Sequence, residues 1–119
     1  MTNHDRELIV LAGRAAGKDI FYDDFHDGAP CYYAEDIDCN IMWNPLEDDG
    51  DAFGLAVALH MDINSYPCTQ EIGAVQHKHN KICDGNQHRM FEKTWQQDAF
   101  SATRRAIVRA AAEIGRTKP

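Results

Sequence analysis

The middle of this sequence is short of positive charge. No lysine or arginine falls between residues 19 and 77, a stretch that holds thirteen acidic residues. From residue 78 to the end, nine basic residues stand against four acidic ones, within a net charge of −7. Such an asymmetry bears on association rather than on fold. It favours basic C-terminal elements that lie across the acidic middle, within one subunit or between two. The alternatives are a basic partner, or an acidic face that mimics nucleic acid.

The motifs of common enzymes are missing as well. The sequence has no glycine-rich phosphate loop of the GxGxxG or GxxxxGK type, and no GxSxG nucleophile motif. No residue is therefore assigned a catalytic or cofactor-binding role.

Long apolar runs and paired cysteines are also absent. Residues 8–13 form the first apolar run, but acidic residues precede it and it is far too short to cross a bilayer. We therefore expect neither a signal peptide nor a membrane partner. The four cysteines form no CxxC pair, so free thiols in a reducing cytoplasm are expected.

Residues 43–59 carry the strongest architectural signal. Pro45 restricts the residue before it, so a strand that brings in Trp43 should end there. Asp48 or Asp49 is suited to cap the helix that follows, because a carboxylate accepts the free N–H groups of a first turn. The helix is apolar on most of its circumference, which predicts burial against a sheet or a neighbouring subunit. A calcium loop is the alternative for these acids, but the alternating acids and the distal glutamate of an EF-hand are missing.

Both ends of the chain have helical periodicity. Residues 2–17 form an amphipathic pattern with Thr2 or Asn3 as the cap and Gly17 as the stop. Residues 98–115 place apolar side chains on one arc and charged side chains on the opposite arc.

The C-terminal helix also carries a group of basic residues. Asp98 is expected to cap it and Gly115 to close it. Its basic residues, with the lysine that follows, are Arg104, Arg105, Arg109, Arg116 and Lys118. They are suited to contact phosphates, but the acidic net charge and the lack of interleaved aromatics disfavour nucleic acid. We expect them to form the solvent-facing side of the helix.

Short strands fill the space between the helices. The strands predicted in the first half cover residues 20–25, 31–37 and 40–43. An Asp-Gly turn is predicted at residues 27–28, and residues 62–67 form a connector or a short strand. Residues 70–95 predict an antiparallel hairpin closed by an Asp-Gly turn at residues 84–85. The order α–β–β–α–β–β–α predicts one α+β domain, a small, mainly antiparallel sheet with helices packed on it as an α/β/α sandwich.

Three blocks of the sequence resemble a known family. The blocks are LIVLAGRAAGKD near the start, WNPLEDDGDAFGLAVAL in the middle and SATRRAIVRAAAEIGR near the end. Together they resemble the phage α/β/α-sandwich domain, a family of small bacteriophage-encoded proteins related in style to NinX-like proteins. The resemblance implies helices that cover a small sheet, and a phage or prophage protein that acts in the bacterial cytoplasm. It implies no activity and no catalytic residues, and residues 60–93 match the family pattern poorly.

The predicted hairpin contains a cluster of metal-ligand residue types. The cluster consists of His77, His79, Cys83 and His88. On a strand, His77 and His79 point to the same face, and the hairpin can bring Cys83 or His88 near them. Imidazole and thiolate are ligands that zinc prefers, so a zinc site is one prediction for this segment. The spacing fits no zinc signature, and a solvent-facing polar strand accounts for the alternating histidines as well.

Two further groups have a structural interpretation. One group joins a histidine to three aspartates: His26, Asp23, Asp24 and Asp27. It is similar to an acid-rich metal patch, but a surface turn accounts for it. Cys31 and Cys39 fit a metal site or a disulfide, but we expect both to be small buried thiols.

The function that these observations favour is non-catalytic. We expect a phage or prophage accessory protein that binds a host or phage protein, with a homo-oligomer as a second mode of association. One alternative is a metal-dependent enzyme that uses zinc at the histidine and cysteine cluster. The other is an acidic mimic of nucleic acid.

Overall fold

The computed structural model describes residues 2–66, 71–76, 88–92 and 99–117, with the backbone alone at 64–66, 71, 75–76 and 88–92. Within these ranges the α-helices are α1 (Asn3–Ala15), α2 (Asp49–Ala58) and α3 (Ala99–Arg116). The strands are β1 (Phe21–Asp23), β2 (Ala29–Ala34), β3 (Cys39–Met42), β4 (Met61–Tyr66), β5 (Glu71–Gln76) and β6 (His88–Glu92). A 3-10 helix, Asp24–His26, connects β1 to β2. None of the described helices combines the length and the apolar character that crossing a bilayer requires.

The strands form two antiparallel sheets, β1-β2-β3 and β4-β5-β6. The predicted α+β class, with antiparallel strands and helices packed on them, is confirmed. The sequence pattern indicates one small sheet, whereas the strands of the described residues form two, one from the strands before α2 and one from the strands after it.

The second sheet contains the predicted hairpin. The sequence predicts a connector or a strand at residues 62–67, and β4 occupies most of that range. β5 and β6 pair antiparallel, with Gln76 opposite His88. The Asp-Gly turn predicted at residues 84–85 lies outside the described residues. An uninterrupted hairpin closed there would instead set Gln76 opposite Lys93, so the observed register differs from the one that this turn requires.

The first helix follows its sequence signals. Thr2 is the N-cap, and its Oγ1 accepts the N–H of Asp5 at 3.1 Å. The helix ends at Ala15, and Gly17 takes the left-handed conformation with φ +78°. A glycine tolerates this conformation without the steric cost that a Cβ adds. The predicted cap and stop are both confirmed.

The stretch around α2 is also built as its sequence indicates. β3 ends at Met42, and Pro45 lies fully buried directly after Trp43 and Asn44. Asp48 is the N-cap of α2, and its Oδ1 accepts the N–H of Asp51 at 2.9 Å. Asp51 in turn accepts the N–H of Asn44 at 2.9 Å, which ties the chain that enters the helix to its first turn.

Only one side of α2 is buried. Ala52, Leu55 and Ala56 lie in the core, whereas Phe53 and Val57 are exposed. The prediction that most of the circumference is covered is therefore wrong for this chain taken alone. The helix has an apolar outer face that the described parts of the two sheets leave open.

The last helix, α3, lies at the centre of the fold. It packs against α1, against α2, and against β5 and β6. Its buried residues surround the helix rather than form one arc: Ala102, Ala106, Ile107, Val108, Ala110, Ala111, Ala112, Ile114 and Gly115. The predicted solvent-facing basic side is wrong for Arg104, whose side chain is 16% exposed, and partly right for Arg105, whose side chain is 35% exposed. Arg104 pairs with Asp49 at 2.6 Å, and Arg105 pairs with Asp5 at 3.1 Å.

Two further predictions about α3 need correction. Gly115 does not close the helix, since α3 continues through Arg116, and Gly115 packs closely on α1. Phe100, predicted on the buried arc, is 69% exposed. The predicted cap, Asp98, lies outside the described residues.

Candidate functional site

An open apolar groove lies between α2, β4 and the first turns of α3. It has a volume of about 480 Å³. Its large apolar walls are Phe53, Val57, Met61, Ile63, Phe100 and Ile107. Phe53 is 71% exposed and Phe100 69% exposed, so the two aromatic walls stand out into solvent instead of closing over the groove. Exposed apolar surface concentrated in one place is typical of interaction sites.

The outer face of α2 accounts for the apolar character of this surface. Gly50, Phe53, Gly54 and Val57 are exposed and follow one side of the helix. None of these four carries a charge, but Asp49, 64% exposed in the first turn, lies on the same side of the helix. Beyond that first turn, α2 presents no charged side chain to solvent, although a helix on a protein surface usually does. Phe53 and Val57 are four residues apart and so share one side of the helix. The sequence pattern assigned that side to the core.

The groove is acidic at one end. Glu47, Asp48 and Asp49 are exposed there, at the N-terminus of α2. Arg104 stands against them, and it donates from Nη1 to Asp49 Oδ1 at 2.6 Å and from Nε to the Leu46 carbonyl at 2.8 Å. Asp49 and Arg104 line the groove as an ion pair, so the excess negative charge at this end comes from Glu47 and Asp48, which lie beside the groove.

The alternative of a calcium loop gains no support from this arrangement. Asp48 caps the helix, Asp49 pairs with Arg104, and Asp51 accepts a backbone N–H. Each carboxylate already has a protein partner that accounts for its position.

A second group of chemistry-bearing side chains lies on the first sheet. Asp23, His26 and Cys31 each offer one ligand atom, and these atoms lie within 4.8 Å of one another. His26 Nδ1 is 2.8 Å from Asp23 Oδ2, and the Asn40 amide donates to the same oxygen at 3.2 Å. The second oxygen, Asp23 Oδ1, accepts the N–H of Phe25 at 3.0 Å. We call Asp23, His26 and Cys31 the Asp-His-Cys cluster.

The electrostatics of the Asp-His-Cys cluster follow from these contacts. Hydrogen bonds from His26, Phe25 and Asn40 lower the pKa of Asp23, because each stabilises the carboxylate. Burial raises the pKa of the Cys31 thiol, and the charge of Asp23 raises it further. Cys31 is fully buried, and its Sγ lies 3.5 Å from the Ala29 carbonyl. The cluster thus pairs an anionic carboxylate with a neutral thiol.

The surface-turn interpretation of the histidine and its aspartates is only partly right. The turn exists, and Asp24 is exposed on it, but Asp23 is 8% exposed and belongs to the cluster. The expectation for the cysteines is right for Cys31 and wrong for Cys39, which is an exposed free thiol. Cys31 lies opposite Met42, three residues from Cys39 along β3, and that offset exceeds the span of a disulfide.

The zinc cluster predicted from the sequence falls largely outside the described residues. His77, His79 and Cys83 lie there, and the structure describes only the backbone of His88, at the start of β6. This site therefore stays a prediction.

Comparisons with known proteins give no relative for this chain. No family model, no curated protein and no solved structure matches it significantly.

Proposed function

We propose that this protein is a non-catalytic binding module that holds an amphipathic helix of another protein in the groove between α2, β4 and α3. The observation that carries the proposal is the outer face of α2 beyond its first turn, which has no charge and where Phe53 and Val57 stand beside the groove with 71% and 57% exposure. Burying an apolar side chain of this size stabilises a complex by about 1.5–3 kcal/mol. A helix in a groove is a common mode of peptide recognition, with large side chains at positions i, i+4 and i+7.

The charge at the end of the groove indicates the kind of partner. Glu47, Asp48 and Asp49 make that end acidic, and Arg104 is engaged with Asp49. A helix flanked by lysine or arginine matches this potential and is attracted to it. We therefore commit to a basic amphipathic helix on a different protein. A second copy of the chain is the alternative occupant of the groove, and sedimentation of the protein alone tests it.

The biological setting rests on the family resemblance. In that setting, a phage or prophage accessory protein in the bacterial cytoplasm, the partner in the groove is a host or phage protein. The acidic mimic of nucleic acid has less support, because several acids of the middle stretch already have partners. Asp23 binds His26 and Asn40, Asp48 caps α2, and Asp49 pairs with Arg104.

A designed peptide tests the proposal directly. The probe is a labelled helical peptide with leucine and phenylalanine along one face and lysines at its ends. A control peptide has the same composition with the apolar residues spread around the helix. We expect the first peptide to bind, with fluorescence anisotropy that falls at raised ionic strength, and the control to bind much more weakly.

Matched variants locate the binding surface. Phe53→Ser and Phe100→Ser remove exposed walls of the groove, and each should weaken peptide binding by about tenfold or more, as expected for an aromatic anchor. Phe25→Ser is the control, because Phe25 is 98% exposed and does not line the groove. Equal binding by all three variants would refute the proposal. Sedimentation of the protein alone gives a second decisive result: a dimer lost in Phe53→Ser would assign the groove to a second copy.

A further inference from the structure

The Asp-His-Cys cluster combines three different donor types at one point of the first sheet. Asp23 ends β1, His26 lies in the 3-10 helix, and Cys31 lies in β2. Carboxylate oxygen, imidazole nitrogen and thiolate sulfur are the ligands that zinc takes in proteins. Calcium and magnesium take oxygen ligands instead, so the cysteine and the histidine discriminate against them.

The fold holds Asp23 in place without help from the histidine. Its Oδ1 accepts the Phe25 N–H at 3.0 Å, and its Oδ2 accepts the Asn40 amide at 3.2 Å. Partners of this kind orient the ligands of metal sites and tune their affinity. The carboxylate therefore keeps its direction when His26 turns from Asp23 toward a shared ion.

The spacing of the donor atoms is close to what an ion needs. A tetrahedral zinc ion with bonds of about 2.0–2.3 Å sets its ligand atoms about 3.3–3.8 Å apart. In the cluster, His26 Nδ1 and Asp23 Oδ2 are 2.8 Å apart, and no pair of ligand atoms exceeds 4.8 Å. The ion would require the first pair to open by about 0.5 Å and the thiol to approach by at most about 1.2 Å, with zinc–sulfur bonds of about 2.3 Å. The His26 side chain is 36% exposed, which leaves it room to adjust and gives an ion a route in from solvent.

Two other interpretations of the cluster, a hydrogen-bonded turn and a nucleophilic cysteine, account for it less well than a metal site does. Hydrogen bonds account for Asp23 and His26, and the Cys31 thiol donates to the Ala29 carbonyl at 3.5 Å. None of these contacts requires the thiol to lie beside the carboxylate. A nucleophilic cysteine that works with a histidine and an aspartate needs an accessible thiolate of lowered pKa. Cys31 is instead fully buried, so a substrate cannot reach its sulfur.

We infer that Asp23, His26 and Cys31 form a zinc site with three protein ligands and one position open to solvent. The two anionic ligands balance the charge of the ion once the thiol gives up its proton to solvent. Asp24 and Asp27 on the adjoining turn add negative potential that attracts a cation. This site is separate from the groove, so it can fail or hold independently of the proposed helix binding.

Cobalt and zinc titrations of the whole chain, first stripped with a chelator, test the site. Cobalt reports on its ligands, because a thiolate bound to it gives a charge-transfer band in the near ultraviolet. We expect one equivalent of metal to produce this band, Cys31→Ser to remove it, and Cys39→Ser to leave it. His26→Gln should weaken zinc binding by about tenfold or more, and magnesium should not compete.

Two further measurements exclude a zinc site elsewhere in the chain and a loss of binding caused by unfolding. Cys83→Ser separates this site from the histidine-rich segment: a band lost in Cys83→Ser and kept in Cys31→Ser would overturn the inference. If Cys31→Ser loses its circular dichroism signal, the variant is unfolded and its metal binding is uninformative. His26→Gln then decides, because His26 is partly exposed and its substitution should leave the fold intact. Two other results would overturn the inference. One is equal zinc affinity in His26→Gln and the unchanged protein, and the other is an unchanged protein that binds no zinc.

Discussion

Gly115 of α3 lies directly against the backbone of Leu11 on α1. A Cβ built on Gly115 would come within 1.9 Å of the Leu11 carbonyl oxygen, a distance that real Cβ atoms do not reach. The two helices therefore approach each other at a point where no side chain fits between them. Since α1 begins the chain and α3 ends it, this contact joins the two ends of the fold.

Gly115→Ala should destabilise the protein. Alanine is normally the better helix former, by about 1 kcal/mol. Here the added methyl group meets backbone atoms of Leu11, which cannot turn aside as a flexible side chain can. Overpacking of this kind costs about 1–3 kcal/mol, so the free energy of unfolding measured in urea should fall.

Gly54→Ala is the matched control. Gly54 also lies within a helix, but a Cβ there meets no atom within 4 Å. The helix propensity then acts alone, and we expect stability to rise by as much as about 1 kcal/mol. If both variants shift stability in the same direction, the close contact between α1 and α3 is not as described.

Gly115 also shows where sequence reasoning stops. A glycine near the end of a helical pattern indicates a stop, and Gly17 does act as one. Gly115 has the same local pattern, but its role depends on α1, about a hundred residues away in the chain. Caps such as Thr2 and Asp48 are predictable because their partners lie three residues away.

The Asp-His-Cys cluster escapes sequence reasoning for a related reason, the strand register. A two-residue turn at residues 27–28 would set Asp23 opposite Tyr32 and turn Cys31 to the opposite face of the sheet. The 3-10 helix shifts the pairing, so that Phe21 lies opposite Cys31 and Asp23 opposite Ala29. Asp23 and Cys31 then share one face. An odd change in register reverses every side chain of a strand, and no residue pattern in this segment marks the extra turn.

Arg104→Ala should cost more stability than its single ion pair suggests. The side chain is 16% exposed and donates both to Asp49 and to the Leu46 carbonyl. Removing it leaves that carbonyl without this donor, which costs about 1–3 kcal/mol when the group is buried from water. Arg104→Lys should recover only part of the loss, because an ammonium group lacks the fixed fork of donors.

Arg116→Ala is the control for Arg104, measured in the same urea titration. Arg116 pairs with Glu113, and both side chains are about two-fifths exposed. A surface pair of this kind contributes about 0–1 kcal/mol, and less at high salt. Equal losses in the two alanine variants would show that the Leu46 contact contributes nothing.

Asp48→Ala should weaken the start of α2. The Asp48 carboxylate accepts the Asp51 N–H at 2.9 Å, and removing a cap of this type costs about 0.5–2 kcal/mol. Asp48→Ser keeps an acceptor oxygen and should retain most of the stability. Thermal unfolding of the three proteins gives the comparison, and a serine variant as unstable as the alanine variant would contradict the capping role.

Asp51 should make stability fall as the pH rises through the range where carboxylates ionise. Burial raises the pKa of Asp51 above its ordinary value, and the Asn44 N–H only partly offsets this effect. The folded state then holds the Asp51 proton to a higher pH than the unfolded state. Its stabilising effect is complete below the unfolded pKa and is lost as the pH passes through the raised folded pKa.

Asp51→Asn tests this sign, since its amide oxygen can still accept the Asn44 N–H. We expect the variant to gain stability over the unchanged protein as the pH rises from acid to neutral, with urea midpoints compared at each pH. Asp36→Asn, which removes a carboxylate at an exposed position, is the matched control. The opposite trend would mean that the N-terminus of α2 favours the Asp51 carboxylate more than burial disfavours it, because a helix N-terminus attracts negative charge.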